Sequence, residues 1–193
     1  MATGPSILLT GFEPFTTGQG LVLDHNPTAS IATQVATTLD HATSAVLPVS
    51  YQRTKSALLE LFDTLKPRVW VGMGFAPHRA TLDLEAVALN VEHAVGADND
   101  GHQPFMGEIF EGAPTAYRTR LKLNEAISTF AAHGVPAQVS THAGTFLCNQ
   151  AFYLGCHRCE TTGTPDLAAF IHVPPMTDFG PFEAGLAALL ASL

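Results

Sequence analysis

Three side chains in this sequence could together supply a nucleophile, a base and an orienting acid: Cys148, His172 and Glu85. Cys148 lies in AGTFLCNQAFY (Ala143 to Tyr153), where a strand-like stretch gives way to an aromatic, amide-rich segment of helical character. A thiol at a helix N-terminus meets free backbone N–H groups and the positive end of the helix dipole, which favour the thiolate. The same N–H groups can bind the oxyanion of a tetrahedral intermediate, worth roughly 10²–10³ in rate per donor. Ala143 and Gly144 let the backbone turn sharply before the thiol and let a substrate approach it. Taken alone, a cysteine is more often packing than chemistry.

His172 sits near the end of the apolar run AAFIHVPP, a position where α/β proteins keep their sites. Its plain alternative is a core histidine bonded to a backbone carbonyl. Glu85 is a lone carboxylate among Leu, Ala and Val, and its plain alternative is a solvent-facing strand residue. The three types are those of a thiolate nucleophile, a general base and a tautomer-fixing acid, but spacing alone does not prove that they meet.

The other two cysteines form Cys156-His157-Arg158-Cys159. One CxxC enclosing a histidine invites a zinc or redox reading. A closed zinc site needs four ligands, and no second pair stands at suitable spacing. A thioredoxin-like motif would open its helix, whereas this one comes late. No metal or cofactor is therefore expected. His78, His102 and His142 fall near candidate active-site loops, where solvated or structural roles are the simpler reading. There is no P-loop, no G-x-G-x-x-G after the first strand and no G-x-S-x-G; Gly72-x-Gly74 is too short a match to count.

The elements that must position these groups alternate along the chain. SILLTGF, ATSAVLPVSY, RVWVGMGF, AQVSTHAG and AAFIHVPP read as strands. Helices are predicted from Asn26-Pro27 through Leu39, from Thr54 to Lys66, from Arg120 to Ala132, from Cys148 to about Cys159, and from Pro181 to Leu193. EPFTTGQGLVLDHNP and GADNDGHQPFMGEIFEGAPTAY read as loops. ATLDLEAVALNV alternates, but its phase slips midway: Leu82 and Leu84 are even, whereas Val87, Leu89 and Val91 are odd. A bulge or hairpin bend near Glu85 is the expected cause. The pattern predicts an α/β protein, a three-layer sandwich with a mixed, largely parallel central sheet. Without repeats, linkers or low-complexity tracts, residues 1–193 read as a single catalytic domain.

Composition removes several function classes. The 17 acidic residues outnumber 9 basic ones, and no basic cluster offers a footprint for nucleic acid. No apolar run approaches the ~20 residues that span a bilayer, and the N-terminus lacks the charged and apolar regions of a signal peptide. Three cysteines and no export signal predict reduced thiols in the cytoplasm. Only 13% of residues are charged, a share low enough to imply extensive burial and to leave room for a subunit interface.

LLTGFEPF (Leu8 to Phe15), Asn26-Pro27-Thr28, LEAVALN (Leu84 to Asn90), DNDGHQP (Asp98 to Pro104), AGTFLCNQAFY and FIHVPP occur in an order that resembles the pyroglutamyl peptidase I (pyrrolidone-carboxylate peptidase) family of cysteine peptidases. The resemblance spans about residues 6–176, and AGTFxCNxxFY is its most specific block. It implies a cytoplasmic exopeptidase on an α/β/α sandwich, a homo-oligomer (dimer or tetramer), acting on N-terminally pyroglutamylated peptides. It places the nucleophile on Cys148, the histidine on His172 and the carboxylate on Glu85. It also maps an aromatic pocket for the pyroglutamyl ring to Phe12, Phe15 and Phe146, which would otherwise read as plain core. A flat neutral lactam suits such a pocket: rings cover its faces while a few polar groups pair its N–H and C=O. Two departures stand out. A Gly-Gly-Arg stretch is reduced here to Phe75-Ala76-Pro77-His78-Arg79, and Val95 occupies a position where the family tends to carry an arginine. If that arginine assists the oxyanion, Arg79 or His78 would have to substitute, or turnover would suffer. Two alternatives remain: an inactive pyroglutamate-binding homologue, or another cysteine amidohydrolase on a related sandwich.

Overall fold

The structure is a computed structural model describing residues 6–16 and 22–193. Its centre is a six-stranded sheet in the order β4-β1-β5-β10-β6-β9, made of β1 (Ile7–Phe12), β4 (Ala42–Leu47), β5 (Val69–Phe75), β6 (Leu82–Glu85), β9 (Ala137–Ser140) and β10 (Leu167–Val173). The ladders are parallel except where β10 meets β6, with Ile171 opposite Leu84 and His172 opposite Asp83. Two short antiparallel ribbons lie outside it: β2 (Phe15–Thr16) with β3 (Val22–Leu23), and β7 (Val87–Leu89) with β8 (Ala116–Arg118).

Helices cover both faces, as the alternating pattern predicts. On one side α2 (Tyr51–Leu65) and α4 (Leu147–Thr161) pack over Trp70 and Phe170. On the other, α1 (Pro27–Thr37), α3 (Leu123–Ala132) and α5 (Gly180–Ala191) cover Val69, Val71, Met73, Ala169, Ile171 and Val173. Strands buried on both faces explain why RVWVGMGF and AAFIHVPP read as continuous apolar runs. No described helix is long and apolar enough to cross a membrane.

Boundaries differ from the sequence reading where side chains cap helices. Ser50 accepts the Arg53 N–H (3.2 Å) and Asp98 accepts the Tyr51 N–H (2.8 Å), so α2 starts a turn before Thr54. The turn from Arg120 to Lys122 is not helical; Arg120 instead donates to the Asp166 carbonyl and pairs with Glu160. The predicted loop from Glu13 to Pro27 contains β2 and β3, and its residues 17–21 lie outside the described residues. The phase slip is neither a bulge nor a hairpin bend. At Ala86 the chain leaves the main sheet: Leu82 and Leu84 face the α3/α5 core, whereas β7 pairs with β8 and packs beneath α4. A change of sheet resets which side is buried.

Candidate active site

Alternation along two antiparallel strands brings acid and base to the same face. In β10, Phe170 and His172 face α4 while Ile171 and Val173 face the opposite core; in β6, Asp83 and Glu85 share the face of His172. The antiparallel register places Glu85 diagonally across from His172, and the His172 Nδ1 meets Glu85 Oε1 at 2.7 Å. Both are buried, Glu85 to 1% and His172 to 6% exposure. Hence neither the solvent-facing reading of Glu85 nor the carbonyl-bonded reading of His172 holds.

Behind the pair stands Arg79. Its guanidinium donates to Glu85 Oε1 (3.0 Å), pairs with Asp83 and reaches the His142 carbonyl (3.2 Å); Gln138 Nε2 donates to Asp83 (2.7 Å).

The thiol arrives from above the sheet. Gly144, at φ +82°, turns the chain from β9 into α4, so that Cys148 lies in the first turn of that helix. Phe146 caps the helix without a side-chain hydrogen bond, and the first intrahelical backbone donor is Gln150, to the Phe146 carbonyl. The N–H groups of Leu147, Cys148 and Asn149 are therefore free at the helix mouth. The amides of the NQ pair fasten this start. Asn149 bonds the Leu89 N–H and the Leu89 and Val91 carbonyls (2.9–3.0 Å), and Gln150 reaches the Tyr51 carbonyl and Glu92.

Room for sulfur comes from glycine. On the α4 side β5 presents Trp70, Gly72 and Gly74, and a Cβ at Gly74 would lie 2.6 Å from Cys148 Sγ and 3.3 Å from the His172 ring. The Gly-x-Gly spacing that matches no nucleotide motif thus forms a trough for the thiol and for Phe170. Gly74→Ala is expected to displace the thiol and lower kcat/KM about 10²-fold while circular dichroism still shows the native helix content. An unchanged rate would mean that the thiol position is not critical.

Electrostatics tie sulfur to imidazole. Burial alone would lower the His172 pKa, but the charge of a Cys148 thiolate and its hydrogen bond, then the hydrogen bond and charge of Glu85, raise it to about 9. The His172 ring thus stands between the thiol and the carboxylate, with Glu85 on Nδ1. Tyr51, whose hydroxyl donates to the Thr145 carbonyl and whose ring stands edge-on to Phe146, is pushed well above its usual range by burial, Glu92, Asp98 and that same thiolate, so it stays neutral.

Phe12, Phe15 and Phe146 line a small pocket with Cys148, Gly74 and Asn26. Gly11 lets α1 start against β1, and Thr28 Oγ1 accepts the Phe12 N–H (3.1 Å). Asn26 caps α1 through Thr28 and donates to the Glu13 carbonyl, while Glu13 accepts the Val49 and Asn99 N–H groups. LLTGFEPF and Asn26-Pro27-Thr28 are thus one interlocked wall.

The chain that carries this thiol, imidazole and carboxylate beside a phenylalanine-walled pocket has relatives among known proteins. Residues 5–182 match the family model described as pyroglutamyl peptidase. The chain belongs to the pyroglutamyl peptidase family. It is 36% identical over 177 residues to the pyrrolidone-carboxylate peptidase of Thermococcus litoralis, covering 89% of this chain and 77% of that protein. The same enzyme of Pyrococcus furiosus is 36% identical over 171 residues, covering 87% and 80%. The crystal structure of pyrrolidone carboxyl peptidase from Pyrococcus furiosus superposes with a TM-score of 0.87 at 30% identity, covering 96% of each chain.

Against the family pattern, Arg79 is engaged behind Glu85 and is no free oxyanion donor, His78 is exposed, and Val95 projects into solvent at 83% exposure. His102 stands edge-on to Tyr51, and His142 Nδ1 accepts the Gly144 N–H (3.0 Å). Both histidines are structural supports. Cys156 and Cys159 are buried free thiols on the later turns of α4; burial pushes both up, Cys159 to about 11, which leaves them protonated and poor nucleophiles. Among the described residues no cluster of His, Cys, Asp and Glu could hold a metal. Arg79 and Gly74 escaped the sequence reading as supports of the triad. The alternation of β5, with Val, Val and Met on one face and Trp, Gly and Gly on the other, was the available signal.

Proposed function

We propose that this family member is a cysteine exopeptidase that hydrolyses the N-terminal L-pyroglutamyl residue from peptides, with Cys148, His172 and Glu85 as its catalytic groups and Phe12, Phe15 and Phe146 around the lactam. The observation that carries the reading is that Cys148 and the His172 ring converge on Gly74 while Glu85 holds the His172 Nδ1, at the mouth of an uncapped helix beside the phenylalanine pocket.

The Cys148 thiolate attacks the pyroglutamyl carbonyl carbon, whose oxygen takes the negative charge and is held by the Cys148 N–H with a second free N–H of the α4 mouth. The His172 imidazolium gives its proton to the departing amine, and the C–N bond breaks to leave a thioester. Neutral His172 then takes a proton from water, which attacks the thioester and releases pyroglutamate and the thiol. Glu85 keeps Nδ1 protonated, so that the other ring nitrogen faces sulfur. Every step uses groups of this chain. Three free thiols suit a reducing cytoplasm, and the low charged share suits assembly into a homo-oligomer.

The pocket volume is only about 30 Å³, room for about two waters, so the ring enters by displacing water and shifting the partly exposed Phe15 and Phe146. Polar groups left unpaired by a ring without the lactam carbonyl would penalise it strongly. A pyroglutamyl coumarin amide is expected to be cleaved at least about 10³-fold faster than the prolyl amide, which lacks that carbonyl. Equal rates on the two would sink the lactam reading.

A further inference from the structure

A second cavity, about 270 Å³, lies beyond the phenylalanine wall; Phe15 and Phe146 line both cavities, whereas Cys148 lines only the first. It is floored by His93, Ala94 and Thr145 and edged by Val95. Thr145 is locked to the segment before Val95 by two hydrogen bonds, His93 N–H to the Thr145 carbonyl (3.0 Å) and Thr145 Oγ1 to the His93 carbonyl (2.8 Å). Phe105, 83% exposed, stands edge-on to His93 at 5.3 Å, and Met106 beside it is 64% exposed. The segment is a narrow excursion, pinned by Glu92 with Gly107 and by the Ala94 N–H to the Pro104 carbonyl.

We infer that this cavity receives the side chain of the residue that follows pyroglutamate, and that it selects large apolar or aromatic side chains, with Val95 as the residue that sets the choice. The inference rests on the peptidase reading above. A pyroglutamyl residue has no residue before it, so a cavity that shares Phe15 and Phe146 with the lactam pocket is left to the peptide that follows. Among the described residues no Asp, Glu, Lys or Arg lines it. A charged side chain entering would lose water and gain no ionic partner, whereas an aromatic one would bury its surface against Phe15, Phe146 and Val95. The apolar rim formed by Val95 and Phe105 extends that surface outward.

The test measures kcat/KM for four dipeptide amides, pyroglutamyl-Phe, -Leu, -Lys and -Glu, with wild type, Val95→Glu and Val95→Lys. Wild type should favour Phe and Leu over both charged residues by about 10-fold or more. Val95→Glu should raise the Lys-to-Glu rate ratio several-fold and Val95→Lys should lower it, since a ratio cancels any common loss of activity or folded fraction. Ratios that stay equal in all three proteins, or a wild type that prefers a charged residue, would overturn the inference while leaving the peptidase reading intact. Failure of wild type to cleave any of the four would instead remove the peptidase reading, and this one with it.

Discussion

Cys148→Ala is expected to fold as the wild type does and to release no product from a pyroglutamyl coumarin amide, a loss of at least about 10⁴-fold. In triads that act as a unit, removing the nucleophile costs nearly as much as removing the whole set. The site is spacious enough at sulfur that a methyl group creates no clash, and Asn149 and Gln150 still anchor the helix. The same variant carries an independent readout. With the thiolate gone, the charge that most strongly raises His172 is gone too, and burial again opposes protonation. The His172 ring, followed by NMR, should therefore titrate well below the value of about 9 set by the intact pair. With the imidazolium as the proposed proton donor to the leaving amine, kcat/KM of the wild type should fall as pH rises through about 9. A variant that retains turnover, or whose His172 still titrates near 9, would mean that Cys148 and His172 do not act as a pair.

Glu85→Gln should keep the shape of the site and lose on the order of 10³-fold in kcat/KM, with KM little changed. An amide in place of the carboxylate no longer stabilises imidazolium, and its NH₂ can donate to Nδ1 and hold the wrong tautomer. Arg79 would keep Asp83 as its partner, which limits the structural damage and separates this effect from unfolding. Thermal denaturation run beside the kinetics makes the distinction: a rate loss with a near-native melting temperature supports the orienting role. A Gln variant within tenfold of wild type would reduce Glu85 to a packing residue.

Much of this was legible in the chain. The layers follow from apolar runs buried on both faces, and the start of α1 from Asn26-Pro27. The sharp turn before Cys148 follows from Gly144. The types of Cys148, His172 and Glu85 marked them as candidates, although only pairing across β6 and β10 brings the last two together. What stayed hidden was non-local. The change of sheet at Ala86 depends on β8, a three-residue strand with too little pattern to notice. Arg79 bonds carboxylates only four and six residues away, but that it backs the Glu85–His172 pair is visible only once β6 lies beside β10. Gly72 and Gly74 looked like a weak motif because their purpose, clearance for Phe170 and for the Cys148 side chain 74 residues farther along, is visible only when β10 and α4 pack against β5.

The sheet order also bears on how the chain is made. β4, β1 and β5 form one half and β6 and β9 the other, and only β10 joins them. During synthesis both halves emerge before β10 does, each with an edge that has no neighbour. Until Val173 has emerged, the edges of β5 and β6 that β10 will cover stay open, and the thiol has no His172 beside it. Such edges invite association with other chains. On the proposed chemistry, the strand that joins the two halves also delivers the histidine, so chains that stop before His172 are expected to be inactive.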